Sequence, residues 1–129
     1  MDIKSTNEQK ITPLKALRTS LNMASNELAK KFNCTPAYIT AVEKGVRVMR
    51  PQMLWYGLNS LEITVERYKE LEEFYQTLLV EELDEKEFFK LMLLKSYSII
   101  AINEDEKEQI EQVIRTILKN EEKSRSPKN

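Results

Sequence analysis

The fold of this chain is decided by Ser25-Asn-Glu-Leu-Ala-Lys-Lys-Phe-Asn-Cys-Thr-Pro-Ala-Tyr-Ile-Thr-Ala-Val-Glu-Lys44, a stretch that Gly45 closes. The pattern predicts two short helices joined by a tight turn, with small Ala29 where the helices cross and Asn33 at a turn position where φ > 0 is expected. The positions predicted to face inward are Leu28, Phe32, Cys34, Ile39 and Val42. This arrangement is the layout of a helix-turn-helix.

The composition favours an all-α fold. The chain has 129 residues, of which 41% are apolar and 32% charged, and it contains only two Gly and four Pro. A sheet with many turns needs more of both residues, whereas abundant Leu, Glu and Lys favour helices. A chain of this length suits one domain, or a small domain with a shorter appendage.

The chain lacks the residues that several kinds of site require. It has no His, and Cys34 is its only thiol. One chain therefore has no set of residues for a tetrahedral zinc site, a structural disulfide, or a Cys/His or Ser/His nucleophile. We expect no enzyme activity, no metal and no cofactor, and we expect Cys34 to be a core residue.

No stretch of the sequence has the character of a signal peptide or a membrane anchor. Residues 1–12 are polar, and the most apolar segment, residues 88–102, is interrupted by Lys90, Lys95 and Ser96. We expect a cytoplasmic protein that does not associate with a membrane.

The net charge of −1 conceals a division along the chain. Residues 1–65 hold nine Lys and Arg against five Asp and Glu, whereas the remainder holds eleven against sixteen. A basic first half is suited to phosphate groups, while an acidic second half faces away or meets another partner. The overall charge is therefore compatible with nucleic-acid binding.

Helix start and stop signals define the first half. Thr12-Pro13 and Thr35-Pro36 each place an N-cap residue before a Pro at the first helical position, and Gly45 stops the second of these helices. Apolar spacing adds a fourth helix, in which Gly57 either weakens the helix or marks close packing. The predicted helices span residues 13–21, 25–32, 36–44 and 51–61.

Five fragments stand in order along this half: Leu14-Lys-Ala-Leu-Arg18, Glu27-Leu-Ala-Lys30, Ile39-Thr-Ala-Val-Glu-Lys-Gly45, Pro51 and Leu61-Glu-Ile63. Together they resemble the phage repressor and Cro-like helix-turn-helix family, often called the XRE type, over residues 14–63. The resemblance implies a lambda-repressor-like helical bundle that binds double-stranded DNA, usually as a homodimer on a two-fold-related site.

By the family's pattern, the third helix presents one face to the major groove. The residues that the resemblance places there are Thr35, Pro36, Ala37, Tyr38, Thr40, Ala41 and Lys44. This face carries no Arg, Asn or Gln, the residues that normally read G or A. Small apolar groups and hydroxyls suit thymine methyls and phosphate oxygens, so we expect an A·T-rich site that is read partly through DNA shape.

Basic residues surround that face. The expected phosphate contacts are Lys30, Lys31, Lys44, Arg47 and Arg50. The resemblance adds Ser25, which stands where the family commonly has a Gln that contacts phosphate. Each of these charges taken alone is equally compatible with an ordinary solvated surface residue. The cluster as a whole favours a phosphate-binding function.

Three other side chains have simpler predicted roles. Trp55 is expected to pack in the interior. Glu43 is expected to pair with an Arg of the first helix or of the following loop. Tyr38 either stacks on the sugar-phosphate backbone or covers the second helix.

The second half predicts three further helices, over about residues 65–83, 85–102 and 103–120, before a disordered tail at 121–129. Asp84 and Asn103 provide capping signals at two of the starts. The middle helix is apolar around nearly its whole circumference, which a three-helix unit does not easily bury. We therefore predict a homodimer or partner interface at Phe88, Phe89, Leu93, Ile100, Ile114 and Ile117. The alternative is that these helices pack onto the first half as one monomeric domain.

These patterns divide the chain into a polar arm (1–12), a DNA-binding domain (13–63), a helical dimerisation or partner-binding region (64–120) and the tail (121–129). We expect a DNA-binding transcriptional regulator, a repressor, that occupies an operator as a homodimer. The alternative is a protein-interaction module, such as an antitoxin or an inhibitor, in which the C-terminal helices bind another protein.

Overall fold

The computed structural model describes residues 10–125, and within this range the chain forms seven α-helices and no strand. In chain order they are α1 (Pro13–Ser20), α2 (Ser25–Phe32), α3 (Pro36–Glu43), α4 (Pro51–Ser60), α5 (Val65–Leu79), α6 (Glu85–Ile100) and α7 (Glu104–Arg125). The predicted all-α class is confirmed. No helix in the described range is long and apolar enough to cross a membrane. Residues 1–9 of the predicted arm and 126–129 of the predicted tail lie outside that range.

Three helix starts are capped by the side chains that the sequence indicated. The Tyr38 amide donates to Thr35 Oγ1 at 3.1 Å, the Glu87 amide to Asp84 Oδ1 at 2.8 Å, and the Glu106 amide to Asn103 Oδ1 at 2.8 Å. Each bond satisfies one of the free N–H groups at a helix start.

Thr12 departs from this pattern. Its side chain makes no cap bond to α1, and its hydroxyl instead donates to the backbone carbonyl oxygen of Glu43 at 2.6 Å. The predicted helix start is correct because the fixed φ angle of Pro13 suits the first helical position, where no backbone N–H is needed. The hydroxyl therefore ties the start of α1 to the end of α3.

The turn between α2 and α3 has the predicted backbone. Asn33 lies in the left-handed region with φ 57° and ψ 50°. The Cys34 amide donates to the Ala29 carbonyl oxygen at 2.9 Å, which closes the end of α2. Asn is one of the few residues besides Gly that adopts this conformation readily, so the turn needs no glycine.

Gly57 marks close packing of α4 on α2. A Cβ atom at this position would lie 2.1–2.3 Å from three ring atoms of Phe32, whose side chain is fully buried. The helix therefore requires Gly here despite the low helix propensity of that residue. The other large residues buried around this contact are Leu14, Leu17, Leu28, Ile39 and Leu58.

The C-terminal helices pack directly onto the first half. α6 lies at the centre and contacts α1, α5 and α7. Phe88, Leu91, Met92 and Ile99 of α6 are buried, and they belong to the same continuous core as the residues of α1–α4. A helix that is apolar on nearly all sides is therefore covered within the chain, because α1 supplies the surface that the three C-terminal helices lack.

This packing corrects part of the predicted interface. Phe88 and Ile114 are 1% and 2% exposed, so they serve the core of a single chain and are not accessible to a partner. The sequence prediction counted only α5 and α7 as cover for α6. The C-terminal helices therefore pack on the first half of the chain.

A group of charged side chains joins α5, α6 and α7. Lys95 Nζ lies 2.8 Å from Glu111 Oε2, Lys107 Nζ lies 3.0 Å from Glu70 Oε1, and the Ser98 hydroxyl donates to Glu111 at 2.9 Å. Burial by itself would raise the pKa of Glu111. The hydrogen bonds from Lys95 and Ser98 and the charges of Lys95 and Lys107 outweigh burial and lower it.

Two helix ends differ from the predicted ones. α5 ends at Leu79 rather than at residue 83. The connection to α6 then turns, and Leu83 in this connection is buried. α7 continues to Arg125, through five residues of the stretch expected to be disordered. Glu, Lys and Arg are good helix formers, and the next proline is Pro127, so the helix has no reason to stop at Asn120.

Candidate nucleic-acid interface

One face of α3 is held firmly against the core. Ile39 is fully buried, and the side chain of Glu43 is only 6% exposed. Arg18 of α1 donates to both carboxylate oxygens of Glu43, at 2.6 and 3.0 Å, and also to the Met23 carbonyl oxygen at 3.0 Å. The hydrogen bond to Glu43 is the largest of the effects that raise the pKa of Arg18. The predicted pairing of Glu43 with an Arg of the first helix is confirmed.

The opposite face of α3 is open. The exposed residues there are Thr35, Pro36, Ala37, Thr40 and Lys44. Ala41 and Tyr38 are half-buried at its borders. All seven residues that the sequence grouped for base contacts are thus on or beside one surface, which offers methyl groups, three hydroxyls and one ammonium.

Five cations near the turn and around α3 in the sequence are exposed: Lys30 and Lys31 in the last turn of α2, Lys44 at the end of α3, and Arg47 and Arg50 in the loop that follows. None of them forms an ion pair with another residue in the described range 10–125. Charges without a counter-ion keep their full attraction for phosphate. The end of α2, the end of α3 and the following loop therefore carry positive charge that no carboxylate of residues 10–125 neutralises.

Ser25, the remaining residue predicted to contact phosphate, is the first residue of α2 and is half-buried. Glu27 turns its carboxylate back to accept from the Ala24 amide at 2.8 Å. The following amides, those of Ser25 and Asn26, have no carbonyl partner within the helix. A phosphate at this end of α2 would meet these donors together with the Ser25 hydroxyl.

The loop after α3 carries Arg47 over the ring of Tyr38, with the guanidinium carbon 4.7 Å from the ring centroid. This contact holds both side chains at the border of the α3 face. Gly45 begins the loop with φ +78°, and buried Met49 anchors its other end. Between them Val48 is 92% exposed, a feature that the sequence did not indicate.

Trp55 is exposed, and its predicted packing role is wrong. It is 57% exposed and the adjacent Tyr56 is 52% exposed. The buried positions of α4 are Gly57 and Leu58. Two residues turn an α-helix by about 200°, so Trp55 lies on the side opposite Gly57 and Tyr56 on the side opposite Leu58. The small residue at 57, rather than the large one at 55, marks the side of α4 that faces α2.

The predicted partner-binding residues of α6 and α7 are divided by the packing. Besides the two that are buried, Leu93, Ile100 and Ile117 are half-buried and Phe89 is 42% exposed. Tyr97 and Val113, which the sequence reading omitted, are 43% and 47% exposed. The accessible apolar surface of α6 and α7 therefore includes only some of the six residues predicted for the interface.

A cleft of about 700 Å³ lies between the α3 face and the start of α6. Its walls come from α1, the starts of α2 and α6, and the α3 residues Thr40 and Lys44. Sequence reasoning missed the cleft because it exists only where α6 docks beside α1.

The described residues contain no group of three or more His, Cys, Asp or Glu side chains placed to hold a metal ion. Cys34 is half-buried at the end of α2, and burial raises the pKa of its thiol. A thiol with a raised pKa stays protonated at neutral pH, which agrees with its predicted packing role.

Comparison with protein-family models, with curated proteins and with solved structures finds no match to this chain. The residues and their geometry are therefore the basis for a functional assignment.

Proposed function

We propose that residues 13–63 form a helix-turn-helix of the repressor and Cro-like type and that the protein is a DNA-binding transcriptional regulator. In this proposal it acts in the cytoplasm as a repressor, with α3 in the major groove of an operator. The observation that carries the proposal is the open α3 face together with five exposed cations on α2, at the end of α3 and in the following loop, which pair with no carboxylate of residues 10–125.

The proposed mode of recognition follows from the chemistry of this face. Ala37 and Thr40 offer methyl groups for thymine, while Thr35 and Thr40 offer hydroxyls. No side chain on the face makes bidentate contacts to G or A, so affinity depends mainly on phosphate contacts and DNA shape. Selection of bound sites from a random duplex pool should yield A·T-rich sequences; recovery of G·C-rich sites would contradict this mode.

Gel-shift titration against the DNA upstream of the gene, at several salt concentrations, tests the function. The double variant Lys44→Ala/Arg47→Ala should bind more weakly and lower the slope of log affinity against log salt by about two units. The matched control, Lys69→Ala/Lys119→Ala, removes two exposed charges from α5 and α7 and should leave the slope unchanged. Equal losses in both variants would show that only net charge matters.

The homodimer is part of the proposal, since paired half-sites need two reading helices about 34 Å apart. The surface that we assign to it is the accessible stripe of Leu93 and Tyr97, which lie one turn apart on α6. Light scattering decides between the states: a mass near 15.2 kDa at micromolar concentration would remove the dimer.

A second candidate function is a protein-interaction module, such as an antitoxin or an inhibitor. It is favoured by the exposed aromatic side chains of Trp55 and Tyr56, together with the stripe on α6. The gel shift separates the two functions. Tight, salt-sensitive binding that the Lys44/Arg47 variant loses supports the regulator, and no binding above background supports the module.

A further inference from the structure

The cleft beside α3 brings together positive charge from three separate parts of the chain. Lys15 comes from α1, Lys44 from the end of α3, and Lys86 from the first turn of α6. All three are exposed, and none forms an ion pair with a residue in the described range. Three uncompensated ammonium groups around one cavity create an attractive potential for an anion.

The other charges of the cleft leave that potential positive. Arg18 and Glu43 neutralise each other through their paired hydrogen bonds. Lys10 donates to the Leu83 carbonyl oxygen at 3.2 Å and keeps its charge at the wall. Glu85 is the remaining carboxylate among the described residues of the lining, and the cations of that part of the chain outnumber it.

The rest of the lining suits the non-ionic parts of a small molecule. The hydroxyls of Ser25 and Thr40 are hydrogen-bond donors, and Ile11 together with the 42% exposed ring of Phe89 forms an apolar wall. The cleft volume of about 700 Å³ falls within the range of roughly 300–1,000 Å³ that is usual for sites of small ligands.

We infer that this cleft binds a nucleotide-sized phosphate ester, with the phosphates among Lys15, Lys44 and Lys86 and the apolar ring against Phe89. Lys carries its charge at the end of a flexible stem and is a common phosphate ligand. The combination of ammonium groups, hydroxyls and one aromatic wall matches the combination of phosphate, sugar and base.

Occupancy of the cleft would also oppose DNA binding, and this part of the inference rests on the proposed function. Ser25, Thr40 and Lys44 line the cleft and belong to the proposed DNA-contacting surface. A ligand phosphate and a duplex phosphate compete for the same Lys44 ammonium group, so ligand binding would weaken operator binding.

Isothermal titration calorimetry of the full chain without DNA tests the site, with adenosine 5′-diphosphate, pyrophosphate and adenosine as probes in metal-free buffer. We expect saturable one-to-one binding of the diphosphate, weaker binding of pyrophosphate and none of adenosine. Lys86→Ala and Phe89→Ala should each bind the diphosphate about tenfold more weakly, the loss typical of one charge-assisted hydrogen bond or one stacking contact. Glu85→Gln should bind it more tightly, a gain that misfolding does not produce.

Lys90→Ala is the matched control, since Lys90 is exposed one turn further along α6 and does not line the cleft. The site is refuted by absence of saturable diphosphate binding to the wild type, by wild-type binding in Lys86→Ala, or by an equal loss in Lys90→Ala. A fluorescent duplex then tests the regulation: the diphosphate should weaken duplex binding of the wild type but not of Lys86→Ala. Diphosphate binding without duplex binding would refute the proposed function and leave the cleft site intact.

Discussion

Replacing Glu43 with Gln removes the charge that holds α3 against α1. The Glu43 side chain is 6% exposed and accepts two hydrogen bonds from Arg18, at 2.6 and 3.0 Å. Leaving one member of a buried ion pair without its partner costs about 3–5 kcal/mol. Arg18 is 20% exposed and keeps its bond to the Met23 carbonyl oxygen, so we expect a smaller loss of about 2–3 kcal/mol.

Urea unfolding at neutral pH, followed by circular dichroism, measures this loss as a lower midpoint with an unchanged slope. Glu108→Gln is the matched control, because Glu108 lies 2.7 Å from Arg115 while both side chains are more than half exposed, at 66% and 55%. An exposed pair of the same chemistry should change the free energy of unfolding by less than about 1 kcal/mol. The reasoning is refuted if Glu43→Gln costs no more than Glu108→Gln.

A double-mutant cycle isolates the pair from the other effects of each substitution. Arg18→Ala and Glu43→Ala should each destabilise the chain. The double variant should cost less than the sum of the two losses, by about 1–3 kcal/mol for groups in direct contact. A coupling near zero would mean that Glu43 stabilises α3 only through its backbone contact with Thr12.

Three further outcomes follow from the geometry. Gly57→Ala should destabilise the chain by about 1–3 kcal/mol in urea, since the added methyl meets the buried Phe32 ring and this exceeds the gain of about 1 kcal/mol in helix propensity. Asn33→Ala should cost about 1–2 kcal/mol because of its φ of 57°, whereas Asn33→Gly should melt near the wild type. Because the pKa of Glu111 is lowered in the folded chain, its stabilisation is present above about pH 4.5 and is lost as the pH falls through that lowered pKa. Thermal melts of wild type and Glu111→Gln should therefore differ at neutral pH and converge in acid.

Local signals in the sequence were sufficient to predict several helix starts and one turn in both halves of the chain. Thr35, Asp84 and Asn103 mark helix starts through short-range bonds to amides three residues later, so no knowledge of the tertiary fold is needed. Asn33 is similar, since few residues tolerate a left-handed backbone. For Glu43, its place near the end of the third helix predicted an Arg of the first helix or of the following loop as its partner, and the fold selects Arg18.

The partners of apolar faces were not predictable in the same way. Periodicity shows that Phe88 lies on an apolar face of α6, but α1 and a second chain are equally able to cover that face. The prediction for Trp55 was wrong for a related reason, because the size and hydrophobicity of a side chain do not show which side of α4 packs on α2. The cleft forms only where α6 packs beside α1 and α3, and no local pattern in the sequence predicts that packing.

The short helix α1 links the two halves of the molecule mechanically. Leu14 and Leu17 are buried in the core that α1 shares with α6, while Arg18 reaches across to Glu43 of α3. A displacement of α6 relative to α1 must therefore either carry α3 with it or break the bonds between Arg18 and Glu43. Packed cores resist continuous deformation, so the first outcome is favoured for small displacements. The contacts of α1 thus join α6 to α3, so that the open α3 face is held in a fixed position relative to α6.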